Sequence, residues 1–237
     1  MSGNAAAPVA EGRVERKRRA ARLRLLHTGL KLVGTHRAEH VAVSDLCAAA
    51  DCSVGAFYTH FASKEAFVEV LAHEAIEPIG NALDAFGNNQ RTAAEAVSAG
   101  LRFTLELAMR NPDWGRFVIA EAWSGRALSS GLGGRATRDL ERGRREKVFD
   151  FEDLGAATAV VSGAFISGVL LATNGQMTSR TAAATASYVL RALGVPIRRA
   201  AAITAGALPV LDIDAEFAGQ LLQSRPREPD RESASIM

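Results

Sequence analysis

Cysteines, aromatic residues and strand-like patterns are all scarce in this chain of 237 residues. Two cysteines are too few for a disulfide-bonded scaffold and indicate a reducing compartment. Aromatic residues make up 6% of the chain, and no segment alternates apolar and polar residues as a half-buried strand does. Residues 1–12 lack the apolar core of a secretory signal, so nothing in them indicates export.

The motifs of common enzyme chemistry are also missing. The sequence contains no Gly-x-Ser-x-Gly motif, no phosphate-binding loop and no dinucleotide fingerprint. Five histidines are present, but they are too dispersed to form a compact zinc ligand set: His27, His36, His40, His60 and His73. We therefore expect a protein that is not an enzyme and has neither cofactor nor metal.

Charge is nearly balanced overall, at +2, but it is unevenly distributed along the chain. Residues 13–31 carry eight basic residues and one acid, whereas residues 69–109 carry six acids and two bases. A basic first segment suggests an anionic partner there. The alternative is a solvated arm followed by a helix face that keeps the protein soluble.

Helix start and stop signals divide most of the chain into helices between two polar tails, residues 1–12 and 224–237. The predicted helices span about 14–33, 44–50, 54–60, 63–86, 92–110, 113–123, 137–173 with a break near 149–153, 179–193, 198–206 and 214–223. Residues 124–135 are rich in glycine and predict a flexible loop. Residues 154–173 are uncharged and long enough to cross a bilayer, but they lack an aromatic belt, so we expect a buried helix and no membrane.

Residues 42–67 have the pattern of a helix–turn–helix. Asp51 and Cys52 form a tight turn in which Asp tolerates the left-handed conformation, and Ser53 is placed to cap the second helix. The apolar side chains at helical spacing bury the two helices against each other: Val43, Leu46, Cys47 and Ala50 on the first, Phe57 and Phe61 on the second. Such a unit inserts the N-terminal end of its second helix into the major groove of DNA.

Candidate DNA contacts follow from that geometry. The first residues of the second helix are small and allow close approach to the bases, and those after them can donate to phosphates. Lys64 lies at a helix N-terminus, where its charge opposes the helix dipole and indicates a nearby anion. The set is Ser53, Val54, Gly55, Ala56, Tyr58, Thr59, His60 and Lys64. Tyr58 packed at the domain edge and His60 bonded to a carbonyl remain alternatives.

The run Tyr58-Thr59-His60-Phe61-Ala62-Ser63-Lys64-Glu65 resembles the signature of the TetR family of bacterial regulators. The resemblance implies an all-α fold, with a helix–turn–helix DNA-binding domain at residues 13–80 (motif 42–61) and a helical ligand-binding and dimerisation domain at residues 81–223. It also implies a cytoplasmic homodimer on a palindromic operator, acting as a repressor that a small hydrophobic effector releases. Four positions depart from the family pattern, namely Arg37, Ala42, Asp51 and Val54, where the family usually has Gly, Thr, Gly and a polar residue.

The second half offers candidate residues for the effector and for the dimer. An apolar stripe with one acid predicts a ligand pocket or plain core packing: Phe103, Leu107, Trp114, Phe117, Val118, Glu121 and Trp123. Glu121 either recognises ligand or pairs with Arg102 or Arg116. Helices at 154–173 and 181–193 are predicted to form a four-helix bundle with their symmetry mates, through Gly163, Ser167, Gly168, Leu171, Ala184 and Tyr188.

Two other classes of protein stay open at this point. One is a constitutive DNA-binding regulator without a ligand, which a pocket region filled by its own Trp and Phe side chains would favour. The other is a helical enzyme with an incidental helix–turn–helix, although no catalytic constellation supports it.

Overall fold

The computed structural model of the chain describes residues 12–89, 92–123, 131–208, 210–213 and 215–223. Within these ranges it has eleven α-helices, one short 3₁₀ helix and no strand, so the predicted all-α fold is confirmed. The predicted tails lie outside the described residues, apart from Gly12, and so do residues 124–130 of the predicted loop.

The N-terminal part consists of three helices and the first turns of a fourth: α1 (Arg13–His36), α2 (Val43–Ala49), α3 (Val54–Tyr58) and α4 (Lys64–Asn88). Its core is apolar and aromatic, with Leu26, Phe57, Phe67 and Leu71 fully buried. The predicted domain boundary at residue 80 falls inside α4, so this one helix belongs to both parts of the chain.

The remaining helices are α5 (Ala93–Arg110), α6 (Pro112–Trp123), α7 (Gly131–Arg145), α8 (Leu154–Thr173), α9 (Ser179–Ala192), α10 (Ile197–Ala205) and α11 (Glu216–Gln223). Helix α5 is central and packs against α4, α7, α8 and α9. It begins with the predicted capping box, in which Thr92 accepts from the Glu95 amide and Glu95 accepts from the Thr92 amide at 2.8 Å.

Helix α7 begins at Gly131, six residues before the predicted start at 137, so the loop prediction for residues 131–135 is wrong. Glycines lower the intrinsic helix propensity of this segment, but tertiary contacts override it. Leu132 packs against the core, and Arg135 bonds to acidic residues of α4.

Two contacts join the N-terminal part to the rest of the molecule besides α4. Helix α1 packs along α6, and at Gly34 the approach is so close that a Cβ would lie 2.8 Å from the backbone nitrogen of Phe117. Helix α11 packs on α4 and reaches α1, where the Nε2 of His27 lies 2.8 Å from the Oε1 of Gln220.

Candidate DNA-binding surface and ligand cavities

Helix α3 is held with one face in the core and the other in solvent. Asp51 in the preceding turn has a φ of 50°, the left-handed conformation expected from the sequence. The Oγ of Ser53 accepts from the Ala56 amide at 3.1 Å and caps the helix. Phe57 is fully buried, with its ring centroid 5.4 Å from that of Phe61 and 5.5 Å from that of Phe67. These contacts fix the direction in which the opposite face points.

That opposite face presents the residues predicted to contact DNA. Val54 is 45% exposed and Tyr58 is 53% exposed, although both are large hydrophobic side chains. Ser53, Gly55 and Thr59 are exposed as well. A Cβ at Gly55 would meet only the Oγ of Ser53, at 3.8 Å, so the protein's own packing does not require glycine there.

Lys64 and His60 lie next to this surface. Lys64 is the first residue of α4, and its Nζ is 3.5 Å from the carbonyl oxygen of Glu39. Burial lowers the pKa of His60, and the charges of Arg18 and Arg22 lower it further. Both effects favour the neutral form of the imidazole, which can donate one N–H. None of the eight predicted residues is buried, and they lie on α3, beside its two ends and at the start of α4.

Two departures from the family pattern, at Arg37 and Ala42, have visible structural consequences. Arg37 has a φ of 62°, a conformation that glycine adopts without strain and arginine does not. Ala42 gives α2 no side-chain cap. The hydroxyl that the family pattern usually has at this position is thus absent from the N-terminal end of α2.

Four of the predicted pocket residues are core residues. Phe103, Leu107, Trp114 and Phe117 are buried, and the Nε1 of Trp114 donates to the carbonyl oxygen of Ala75 at 2.9 Å. They are not among the residues that line the two cavities described below. Trp114 and Phe117 lie on α6, which packs against α1 and α4, and all four side chains belong to the core, as in the alternative of core packing.

The larger cavity has a volume of about 440 Å³ and lies between α4, α6, α7 and α8. Two of the predicted residues, Val118 and Glu121, line it, whereas the side chain of Trp123 lies outside the described residues. The other lining residues include four apolar ones (Ile76, Leu132, Phe165, Ile166) and three polar ones (Glu69, His73, Glu77). Sequence reasoning missed these because they come from three separate helices.

The smaller cavity has a volume of about 120 Å³ and lies between α4, α5, α7 and α8. Leu132, Gly133, Ser162 and Phe165 line both cavities, so the two are neighbours. Asp139 lines the smaller one, and burial together with the nearby Asp84 raises its pKa to about 6.

Arg135 lies at the border of the two cavities and joins α7 to α4. Its side chain is 12% exposed. Its Nη2 donates to Glu77 at 2.8 Å and to Asn81 at 2.6 Å, and its Nε donates to Asp84 at 3.0 Å. A Cβ at Gly80 would lie 2.5 Å from the guanidinium carbon, so glycine makes the room that Arg135 occupies.

Glu121 is 4% exposed. Both arginines that the sequence offered as its partners make other contacts: Arg116 pairs with Asp113, and Arg102 donates to the Gly206 carbonyl oxygen at 2.9 Å.

Helix α8 presents an apolar face to solvent. In the described ranges it is the one helix long and apolar enough to cross a membrane, yet only 22% of its most apolar stretch is buried. Val160, Gly163, Ser167, Leu170 and Leu171 are exposed at helical spacing, and Tyr188 of α9 is 65% exposed. The expected burial of α8 thus does not occur within a single chain.

Of the other predicted interface residues, Ala184 is half-buried and Gly168 is buried. A Cβ at Gly168 would lie 2.7 Å from the Cδ2 of Leu105 in the same chain. Because Leu105 of α5 already covers this glycine, Gly168 does not lie on the exposed face expected to form the dimer interface. It allows α8 to pack closely on α5.

Comparison with known proteins agrees with this arrangement. Residues 25–71 match the model of bacterial regulatory proteins of the tetR family, and residues 92–206 match the tetracyclin repressor-like C-terminal domain. A crystal structure of RolR in complex with resorcinol is 27% identical and has a TM-score of 0.60, covering 83% of this chain and 99% of its own.

A γ-butyrolactone receptor (ArpA-like protein) is 19% identical and has a TM-score of 0.61, covering 87% of this chain and 98% of its own. At that identity the likeness shows the fold alone. Among curated proteins, none matches this chain significantly.

Proposed function

Since this chain belongs to the TetR family of DNA-binding, non-enzymatic transcription regulators, we propose that it is a ligand-responsive repressor that binds a palindromic operator as a homodimer in the cytoplasm. The observation that carries the DNA-binding part is the surface of α3. Val54 and Tyr58 are half-exposed there, on a helix whose other face is anchored by the fully buried Phe57.

In this proposal α3 enters the major groove with its N-terminal end first. Val54 and Ala56 offer only methyl groups, which favours thymine methyls over hydrogen-bonded readout. Tyr58, Thr59 and neutral His60 donate to phosphates, and Lys64 adds a charge. Specificity would then come from apolar contacts and shape, and affinity from the phosphate contacts.

Binding isotherms at several salt concentrations test these roles, on a duplex selected from random sequence with the wild-type protein. Lys64→Ala should reduce the slope of log K against log salt by about one, because one phosphate contact releases about 0.9 counterion. Tyr58→Phe should weaken binding without changing the slope, since the phenol carries no charge. An unchanged slope for Lys64→Ala would remove Lys64 from the contacts.

The proposed dimer forms through the exposed face of α8 and Tyr188 of α9. Dimerisation is typical of the family, and it would cover the exposed Leu170 and Leu171. Gly163 offers the sharpest test, because a Cβ there meets nothing within 4 Å and the substitution does not disturb the chain itself.

Gly163→Arg should therefore give a folded monomer by sedimentation, and this monomer should lose binding to a two-half-site operator. Ala85→Arg, at an exposed position of α4, is the control and should stay dimeric. An intact Gly163→Arg dimer would place the interface elsewhere.

The proposed effector is a small, largely apolar molecule that carries hydrogen-bond donors. A cavity of about 440 Å³ is within the usual size of ligand pockets. Its apolar residues suit a ring, and the carboxylates of Glu69 and Glu77 on its lining can accept from donors. Resorcinol is the first compound to test, because RolR was crystallised with it.

Helix α4 supplies one wall of this cavity and continues into the DNA-binding domain. A ligand that favours a shifted α4 would change the distance between the two α3 helices of the dimer, which must be about 34–36 Å to enter successive major grooves.

A variant in which the larger cavity is filled distinguishes a ligand-responsive repressor from a constitutive regulator. Ile166 lines this cavity, and a tryptophan in its place would fill it. Ile166→Trp should still bind the operator, but compounds that release the wild type from the operator should no longer release this variant. The alternative is a constitutive regulator, favoured by Trp114 and Phe117 filling the predicted pocket region. It would be supported if no compound in a phenol and amine panel perturbed Trp fluorescence or operator affinity in the wild type.

A further inference from the structure

The N-terminal turns of α1 carry an unusual density of positive charge. Residues 13–24 contain seven Arg or Lys residues and one acid, and they precede the segment that matches the family model, residues 25–71. The sequence left open whether this segment meets an anionic partner or is a solvated arm. From Arg13 onward the chain is helical, and residues 12–20 are exposed.

Three of these cations fix the position of α1. Arg22 donates to Glu74 of α4 at 3.0 Å, and its guanidinium carbon lies 5.7 Å from the centre of the Phe61 ring. Arg24 donates to the Ala50 carbonyl oxygen at 3.4 Å, and Arg19 lies 3.4 Å from Glu216 of α11. The helix is thus held against the helix–turn–helix at its middle, and its first turns extend beyond it.

Arg18 lies one turn before Arg22 on the same face of α1. Since Arg22 sits over Phe61, this face points toward the turn between α3 and α4. His60 in that turn has its pKa lowered in part by the charges of Arg18 and Arg22, which agrees with this placement. The basic face is therefore continuous with the surface that carries His60 and Lys64.

We infer that the exposed first turns of α1, with Arg18 and Lys17, are a second DNA-contacting surface that binds the phosphate backbone flanking the bases under α3. The inference rests on the proposed DNA binding. Positive side chains beside a DNA-reading helix add affinity without sequence preference, and each phosphate contact makes binding more sensitive to salt. One contact changes the ratio of affinities at 50 and 200 mM salt by about 3-fold.

The test compares Arg18→Gln, the double variant Lys17→Gln/Arg18→Gln and the control Lys31→Gln. Lys31 is exposed on the same helix, about 20 Å from Arg18 along the axis. Each is titrated at several salt concentrations on a selected duplex with 10 bp flanks and on one trimmed to the half-sites. Thermal melts by circular dichroism check that each variant is folded.

On the long duplex, Arg18→Gln should lower the salt slope by about one and the double variant by about two, with Lys31→Gln unchanged. Trimming the flanks should erase the difference between wild type and the double variant. If the double variant keeps the wild-type slope while Lys64→Ala lowers it, the inference fails and the proposed DNA binding stands. An equal loss for Lys31→Gln would show a general charge effect and would also overturn it. If the wild type selects no duplex, the proposed function itself fails.

Discussion

Replacing Arg135 with methionine should lower the free energy of unfolding by about 2 kcal/mol at pH 7. Breaking a fully buried ion pair costs about 3–5 kcal/mol, and breaking an exposed pair costs about 0–1 kcal/mol. Arg135 is 12% exposed, but its partners Glu77 and Asp84 are 30% and 33% exposed and can regain water. Asp84 also keeps Arg138, at 3.0 Å. The expected cost therefore lies between the two limits.

The loss should depend on pH in a defined direction. The hydrogen bond from Arg135 holds the pKa of Glu77 below its ordinary value of 4.5. A carboxyl group with a lowered pKa stabilises the fold above its unfolded value and loses that contribution as the pH falls. The difference between wild type and Arg135→Met should therefore shrink as the pH drops below about 4.5.

Urea unfolding followed by circular dichroism measures this, at one fixed protein concentration because the proposed dimerisation would add to stability. Arg138→Met is the matched control: Arg138 also binds Asp84, but its side chain is 65% exposed. It should cost less than about 0.5 kcal/mol. Equal losses for the two variants, or a loss for Arg135→Met that is the same at pH 7 and pH 4, would refute this account of the α4–α7 contact.

Two further predictions concern α7 and α11. The pKa of Asp139 is raised to about 6, so the folded state loses stability as the pH rises from about 4 to about 6. Asp139→Asn should therefore be more stable than wild type by about 3 kcal/mol at pH 8 and equal to it at pH 3.5, as measured by urea unfolding. Phe217 is 2% exposed, and its ring centroid lies 4.8 Å from that of His27. Phe217→Ala should therefore lower the free energy of unfolding by about 3 kcal/mol and speed hydrogen exchange in α11. Unchanged exchange there would show that Phe217 does not anchor the helix.

The local structure of α3, which carries the proposed DNA-binding surface, could be predicted because its geometry is set by neighbours in sequence. Ser53 caps a helix three residues away, and Asp51 takes the left-handed conformation within a four-residue turn. Phe57 and Phe61 are one helical turn apart, and both are buried as predicted. Local rules of capping, turn conformation and periodicity are enough to orient α3.

The ligand cavity could be predicted only in part, because it depends on contacts between distant segments. The stripe containing Trp114 and Phe117 correctly indicates an apolar face of α6. It does not indicate that α1 and α4 cover this face. The larger cavity is lined by residues of α4, α6, α7 and α8, and the Arg135–Glu77 pair that joins α7 to α4 links residues 58 apart in sequence. The glycine-rich start of α7 does not predict a helix from the sequence alone, because the carboxylates of Glu77 and Asp84 that hold Arg135 lie on a distant segment.

The contact of α11 with α1 restricts how the DNA-binding domain can move. The domain is attached to the rest of the chain through α4, through the packing of α1 on α6 at Gly34, and through α11 at His27. A rigid body held at one point can swing, and one held at two points can turn about the line between them. Three separate contacts oppose rotation of the domain about any one of them. We therefore expect a displacement of α3 to move α6 and α11 as well, so that the last described helix takes part in any motion of this domain.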